Sequence, residues 1–297
     1  MNVRYQIKSF SLMIVVILFL IGINRADADR EISVVVTILP LAEFVEQVGK
    51  DKVHVTVMIP PGAEPHTYEP TPNQLKEVST ADVYVKVGTG LEFELYWLDK
   101  LLELNKKIRL CDSSFGVELL EMGVEGEDAH QGHSHGFADP HIWLSPKRVI
   151  KMVENIENAL IEIDSVNAQF YKNNAQDFIS RLQALDTEIK NKLAAFTGRS
   201  FLVVHPEWGY LARDYFLEQI SMEKEGKELT AQELSELVKL AKQEDISAIL
   251  TSPQFSQKTA EVIAKEINAK IIVTDALAKD YLENLRRVAD QMVKTFY

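Results

Sequence analysis

Short apolar runs alternate with amphipathic stretches along the chain from Glu31 onward. Short runs rich in β-branched residues are typical of buried strands, whereas apolar residues at three- and four-residue spacing are typical of helices. This alternation predicts an α/β fold built of βα units, with largely parallel sheets. The predicted strands are residues 32–38, 53–59, 83–87, 108–111, 201–204, 246–250 and 271–273.

Proline, glycine and capping residues indicate where several helices begin and end. Pro40 and Gly49 bound one helix, following the preference for proline at the start and glycine at the end. Thr71-Pro72 predicts a second helix start, and residues 230–233 (TAQE) have the sequence of a capping box. Ser252-Pro253 predicts a further helix start.

One predicted helix is much longer than the others. Residues 167–196 contain neither glycine nor proline, and at 1.5 Å per residue they would span about 45 Å. The pattern predicts a rigid helix joining two α/β lobes, residues 29–166 and 197–297; two helices broken near Asn173-Asn174 are the alternative. Its apolar stripe consists of Phe170, Phe178, Leu182, Leu185, Ile189 and Leu193.

The first 28 residues differ from the rest. Basic residues precede an apolar run over residues 11–23, and Arg25-Ala26-Asp27-Ala28 offers a cleavage site after Ala28. This pattern predicts a secretory signal peptide, residues 1–28. A retained membrane anchor is the alternative, although the run is shorter than the roughly 20 residues that a spanning helix needs.

Composition and charge narrow the choice of function. The chain has 297 residues, of which 46% are hydrophobic, as in ordinary globular proteins. Its net charge is −12, and loss of residues 1–28 would leave 29 basic and 43 acidic residues, a net charge of −14. An acidic exported protein is a poor binder of nucleic acids, so we expect no nucleic-acid partner.

The single cysteine, Cys111, lies far from the predicted cleavage site. The sequence therefore predicts neither an intramolecular disulfide nor a cysteine that could carry a lipid anchor, and we expect a periplasmic protein. Cys111 ends a predicted strand, where a small buried residue is expected rather than a reactive thiol.

Three histidines and one acid follow predicted strands or lie in rigid loops. His66 lies in the proline-rich stretch PPGAEPHTYEP, His141 in DPHIWLSP, His205 directly follows a strand, and Asp275 follows another. Ligands of open α/β sheets bind beyond the carboxyl ends of the strands. Three imidazoles and one carboxylate form a tetrahedral set suited to Zn²⁺, with bonds of about 2.0–2.2 Å.

The motifs PGAEPHTYEP, DPHIWLSP, VVHPEWGY and TDALAKDYLENL occur in this order across the chain. In these motifs the chain resembles the metal-binding proteins of bacterial ABC importers for zinc and manganese. The resemblance implies two lobes joined by a rigid helix, a metal in the cleft between them, and delivery to a membrane permease and its ATPase by a monomer that is not an enzyme. It implies the ligands His66, His141, His205 and Asp275, and histidine at the third position indicates Zn²⁺, with Mn²⁺ as the alternative.

Several residues have more than one interpretation. Glu207 is an alternative fourth ligand, which would leave Asp275 as a helix cap. His54 alternates with valines and is expected to be a strand residue. Tyr68, Glu69, Asp139 and Trp143 are expected around the metal, and His130, His133 and His135 form either a metal-binding or a solvated loop.

Two other functions compete with metal capture. A zinc hydrolase would use Glu207 as a general base and keep one coordination position open for water. A saturated set of four protein ligands leaves no such position. A structural or adhesive surface protein would need no metal ligands at all.

Overall fold

The computed structural model describes residues 30–65, 67–121, 138–224, 227–255 and 257–297, with the backbone only for residues 224, 227 and 228. The predicted signal peptide, His66 and the histidines at 130, 133 and 135 lie outside the described residues. None of the helices within the described part of the chain combines the length and the apolar character needed to cross a bilayer.

Lobe 1 has one four-stranded, fully parallel sheet with strand order β2-β1-β3-β4. The central strand β1 pairs Val34 with Val55 on one side and with Val83 on the other. The elements are β1 (Ile32–Val36), α1 (Leu39–Gly49), β2 (Val53–Val57), α2 (Pro72–Thr80), β3 (Val83–Lys86), α3 (Glu92–Leu104), β4 (Arg109–Asp112) and α4 (Pro146–Ile163).

The long helix is continuous. Helix α5 (Ala168–Leu193) is flanked by 3₁₀ turns at Ser165–Asn167 and Ala194–Phe196, which together make 32 residues without a break at Asn173-Asn174. The predicted stripe is buried except for Phe170, which is half-buried. Helix α5 packs on α1 and α4 of lobe 1 and on α9 (Tyr281–Phe296) of lobe 2.

Lobe 2 repeats the architecture, with a fully parallel sheet in the order β10-β9-β5-β6. A short antiparallel hairpin, β7 (Glu223–Lys224) and β8 (Lys227–Glu228), follows β6. The other elements are β5 (Ser200–Val203), α6 (Gly209–Asp214), β6 (Glu218–Ser221), α7 (Ala231–Gln243), β9 (Ala248–Thr251), α8 (Lys258–Ile267) and β10 (Lys270–Val273).

These two parallel sheets and the long helix confirm the predicted fold class. The hydrophobic pattern did not predict β6 or the hairpin, and one predicted helix start is wrong: Ser252-Pro253 is followed by a turn, and α8 begins only at Lys258. The division of the chain at residues 166 and 196 stays a prediction.

Two single residues lie where the sequence placed them. His54 lies in β2. Cys111 is buried, and burial raises the pKa of its thiol to about 12.

Among the described residues, the buried apolar side chains form two clusters that do not coincide with the two lobes. The larger cluster contains the lobe 1 core, the stripe of α5, most of α9 and one face of the lobe 2 sheet. The smaller cluster lies on the other face of that sheet, beneath α7 and α8. Strand β9 shows the division, because Ala248 and Leu250 belong to the larger cluster and Ile249 to the smaller one.

The first and last helices of the described residues, α1 and α9, also contact each other. Tyr281, at the start of α9, donates its backbone N–H to Glu43 of α1 at 2.6 Å, and its ring lies edge-on to Phe44 with centroids 5.0 Å apart. The two lobes are therefore in direct contact, in addition to being joined by α5.

Candidate metal centre

His141 is held in lobe 1 by the aspartate two residues before it. Asp139 Oδ1 accepts the backbone N–H of His141 at 2.9 Å and lies 2.7 Å from His141 Nδ1. Both residues are buried. Pro140 stiffens this turn, and Ser145 caps α4 directly after it, so the loop is fixed at both ends.

His205 is held in the same way in lobe 2. It follows β5 at the carboxyl edge of the sheet, and its Nδ1 lies 2.9 Å from Oε2 of Glu223 in β7. The ring of Phe255 stacks on the imidazole at a centroid distance of 4.7 Å and an angle of 24°. The carboxylate and the aromatic ring together fix the orientation of this imidazole.

The two imidazoles face each other across the lobes. Their ring centroids are 5.3 Å apart, and Trp143 lies 5.2 Å from His141 while donating Nε1–H to the carbonyl of Ala276 in lobe 2 at 2.8 Å. His141 and His205 line a cavity of about 20 Å³, which is enough for one water molecule or ion. Its other lining residues are Pro65, Leu91, Trp143, Glu207, Gln254, Phe255, Ala276 and Leu277.

Two acids lie close to this cavity. Glu207 is one of its buried lining residues; burial raises the pKa of its carboxyl to about 8, and the negative charge of Asp275 adds to the shift. Asp275 follows β10, and its Oδ1 accepts Gln254 Nε2 at 3.1 Å and the backbone N–H of Leu277 at 3.0 Å. Asp275 therefore caps a turn rather than a helix, because α9 begins only at Tyr281.

The structure thus brings together two of the four predicted ligands, His141 and His205, with Asp275 beside them. Among the described residues, no group of three histidine, cysteine, aspartate or glutamate side chains is placed to hold a metal ion. His66 lies outside those residues, and its neighbour Pro65 lines the cavity. The set of four ligands stays a prediction.

Three residues beside the predicted ligands were not predicted from the sequence: Glu223, Gln254 and Phe255. Phe255 and Gln254 follow β9 at the carboxyl edge of the sheet, a position that could have marked them. Glu223 carried no such signal, since it belongs to the hairpin that the hydrophobic pattern does not reveal.

The family model of ZnuA, described as the periplasmic component A of a zinc-uptake complex, matches residues 34–295. The chain belongs to the ZnuA family. This confirms the resemblance found in the sequence, and the family is a transport component rather than an enzyme family. The competing prediction of a zinc hydrolase gains no support.

Similar proteins carry zinc in their names. The zinc-binding lipoprotein AdcA of Streptococcus pneumoniae is 34% identical over 269 residues, covering 88% of this chain and 53% of that protein. This chain therefore spans about half the length of that relative. The high-affinity zinc uptake system protein ZnuA of Bacillus subtilis is 31% identical, with 86% of this chain and 82% of that protein covered.

Among known structures, a crystal structure of ZnuA matches with a TM-score of 0.82 and 40% identity, covering 89% of this chain and 99% of the other. The ZnuA fold therefore extends over both lobes. The pneumococcal relative is named a lipoprotein, whereas this chain has no cysteine near Ala28. The lack of a lipid anchor stays a prediction.

Proposed function

We propose that this protein captures one Zn²⁺ between its two lobes, outside the cytoplasmic membrane, and delivers it to the permease and ATPase of an ABC importer. The metal is its cargo rather than a cofactor. Membership of the ZnuA family supports the role in uptake, and the zinc-binding relatives support Zn²⁺ over Mn²⁺.

The observation that carries the proposal is the matched pair His141 and His205. Each belongs to a different lobe, and each presents Nδ1 to a carboxylate, Asp139 or Glu223. Histidines that bind metal commonly donate their second ring N–H to a carboxylate, which fixes the tautomer and directs Nε2 at the metal. Two imidazoles oriented in this way at one small buried cavity are the arrangement that a zinc site between lobes requires.

The proposed ligands are His66, His141, His205 and Asp275. Asp275 has its Oδ1 fixed by two donors, so its carboxylate is held in place before a metal arrives. Glu207 is the alternative because it lines the cavity itself. One carboxylate ligand would offset part of the dication's charge, which burial otherwise penalises.

The test is a competition titration of chelator-stripped protein with Zn²⁺ and with Mn²⁺. We expect one tight zinc site that is lost in His141→Ala and in His66→Ala and weakened in Asp275→Asn, while His54→Ala, in an exposed strand position, binds normally. Glu207→Gln separates the two candidate acids, because it should retain tight binding if Asp275 is the ligand. Tight binding that survives His141→Ala would contradict the proposal.

Delivery and location need separate evidence. We expect zinc uptake by cells that depend on this protein to be lost with His141→Ala and restored by the wild-type chain. Normal zinc uptake with the His141→Ala protein would contradict the transport role even if zinc binding is confirmed.

Cell fractionation should find the mature chain outside the cytoplasmic membrane. Size-exclusion chromatography of the purified chain should show a monomer.

A further inference from the structure

The first turn of α6, in lobe 2, lies directly against the aspartate that holds His141. Oδ1 of Asp139 contacts His141, whereas Oδ2 faces Gly209, the first residue of α6. A Cβ atom at Gly209 would lie 2.6 Å from Oδ2, well inside contact distance. Gly209 has no positive φ, so this position requires glycine for close approach and not for its backbone conformation.

The next residue, Tyr210, contacts the backbone of the same segment. Its hydroxyl donates to the carbonyl of Asp139 at 2.8 Å and accepts the backbone N–H of Leu120 at 3.0 Å. The tyrosine is completely buried. One hydroxyl from lobe 2 therefore satisfies two polar backbone groups of lobe 1, one of which is the carbonyl of Asp139.

Helix α6 is itself held against lobe 1. The guanidinium of Arg148, in α4, lies 4.9 Å from the ring centroid of Tyr210, and its Nη1 contacts both carboxylate oxygens of Asp214 at 2.5 and 2.6 Å. Both charged side chains are buried. Helix α4 begins five residues after His141, so the helix that follows the histidine loop also fixes the position of α6.

We propose that Gly209 and Tyr210 are positioning residues for zinc binding: Gly209 packs against the carboxylate of Asp139 and Tyr210 holds its backbone carbonyl, and together they fix Asp139, and through it the imidazole of His141, against lobe 2. Neither residue is among those that line the cavity. The inference rests on the proposed function, since it takes His141 as a ligand. The orientation of the lobe 1 imidazole then depends on contact with lobe 2, so the two lobes assemble the site jointly.

A double-mutant cycle tests this inference, with zinc affinity measured for the wild-type chain, Tyr210→Phe, Asp139→Asn and the double variant. Tyr210→Phe keeps the ring beneath Arg148 and removes only the hydroxyl. We expect a loss of about 10-fold, the lower end of what removing an outer-shell partner costs. The double variant should bind no more weakly than Asp139→Asn alone, because both changes break the same chain of contacts. Gly209→Ala should weaken zinc binding in the same direction.

Tyr215→Phe is the matched control. Tyr215 is a buried tyrosine directly after α6, and its hydroxyl donates to Asp186 of α5 at 3.0 Å. The substitution removes the same group from the same region without touching Asp139. We expect unchanged zinc affinity. An equal loss in Tyr215→Phe would show a general effect of destabilisation and would overturn the inference.

A spectroscopic measurement on zinc-free protein gives an independent readout. The proton shared by His141 Nδ1 and Asp139 Oδ1 should give a downfield NMR resonance that is lost in Asp139→Asn, shifts in Tyr210→Phe and stays in place in Tyr215→Phe. An unchanged resonance and wild-type affinity in Tyr210→Phe would overturn the inference alone. If the wild-type chain binds no zinc, the proposed function fails, and the resonance still decides whether Tyr210 positions His141.

Discussion

Glu94 is a buried carboxylate that lies outside the proposed metal centre. Its oxygens accept Thr37 Oγ1 at 2.6 Å and the backbone N–H groups of Val87 and Gly88 at 2.6 and 2.9 Å. These three donors favour the ionised form, but burial outweighs them and raises the pKa of Glu94 above its ordinary value. The carboxyl therefore joins the ends of β1 and β3 at an electrostatic cost.

This raised pKa predicts a pH dependence of stability. The pKa of glutamate in an unfolded chain is about 4.3. Below that pH Glu94 is protonated in both the folded and the unfolded state, and its contribution to the free energy of unfolding is fully present. As the pH rises through the higher folded pKa, the folded state must give up a proton that it binds more tightly, so the free energy of unfolding falls. Denaturant unfolding at a series of pH values should show a smaller fall for Glu94→Gln than for the wild type.

The control for that series is Glu103→Gln, at an exposed position of α3. In this variant the free energy of unfolding should vary with pH as it does in the wild type. A Glu94→Gln curve parallel to the wild-type curve would show that the buried carboxyl does not contribute to it.

Single residues also mark the limit of what the sequence could predict about the site. His141 and His205 could be identified because adjacent prolines and preceding strands mark rigid loops. The carboxylates that hold these histidines lie at different distances along the sequence. Asp139 is two residues from His141, but Glu223 is 18 residues from His205. A contact set by tertiary packing over that separation leaves no local pattern in the sequence.

At the scale of elements, α5 is the clearest test of the hydrophobic pattern. Leu182 is fully buried in the middle of its stripe. Leu182→Ala should lower the free energy of unfolding by about 2–5 kcal/mol, because it removes buried surface and leaves a cavity. Gln183→Ala, on the exposed face of the same helix, should change it by less than about 0.5 kcal/mol.

Chemical denaturation of both variants checks this prediction. Equal effects of the two substitutions would mean that the stripe does not pack as described.

Helix starts were predictable where the capping residues act locally. Thr230 forms the expected capping box, and the helix start expected at Thr71-Pro72 is also closed by a capping box, with Gln74. Ser252 does not cap a helix, because its hydroxyl bonds to the side chain of Gln254 within a turn beside the metal centre. The edge strand β6 (EQIS) was missed because its composition is mixed and it has a neighbour on only one side. The first exception depends on a side-chain contact within a turn and the second on pairing with β5, and sequence periodicity reports neither of them.

At the scale of the whole molecule, the described residues form two apolar clusters of unequal size, and this difference predicts uneven local stability. The smaller cluster holds the outer layer, α7 and α8, on the lobe 2 sheet, whereas β1 and β3 lie within the larger one. Segments with fewer buried contacts open more easily. Native-state hydrogen exchange should therefore find lower opening free energies for amides of α7 and α8 than for those of β1 and β3. Equal values in both regions would indicate a single cooperative unit.

Zinc should stabilise the whole molecule, since the proposed site needs both lobes. At free zinc one hundred times the dissociation constant, the expected gain in the free energy of unfolding is about 2.7 kcal/mol. Thermal unfolding with and without a chelator measures it. His141→Ala should show no such gain, and an equal shift in that variant would indicate binding elsewhere.

The contact of Tyr281 with Glu43 joins residues 238 positions apart. A ribosome releases lobe 1 and the long helix well before this tyrosine is synthesised, so these segments can form their own sheet while the contact between α1 and α9 is still missing. Contacts of such long range close slowly. The contact between the lobes at Tyr281 is therefore made only after α9 has been synthesised, and a chain that ends before α9 would have both histidines but would lack this contact.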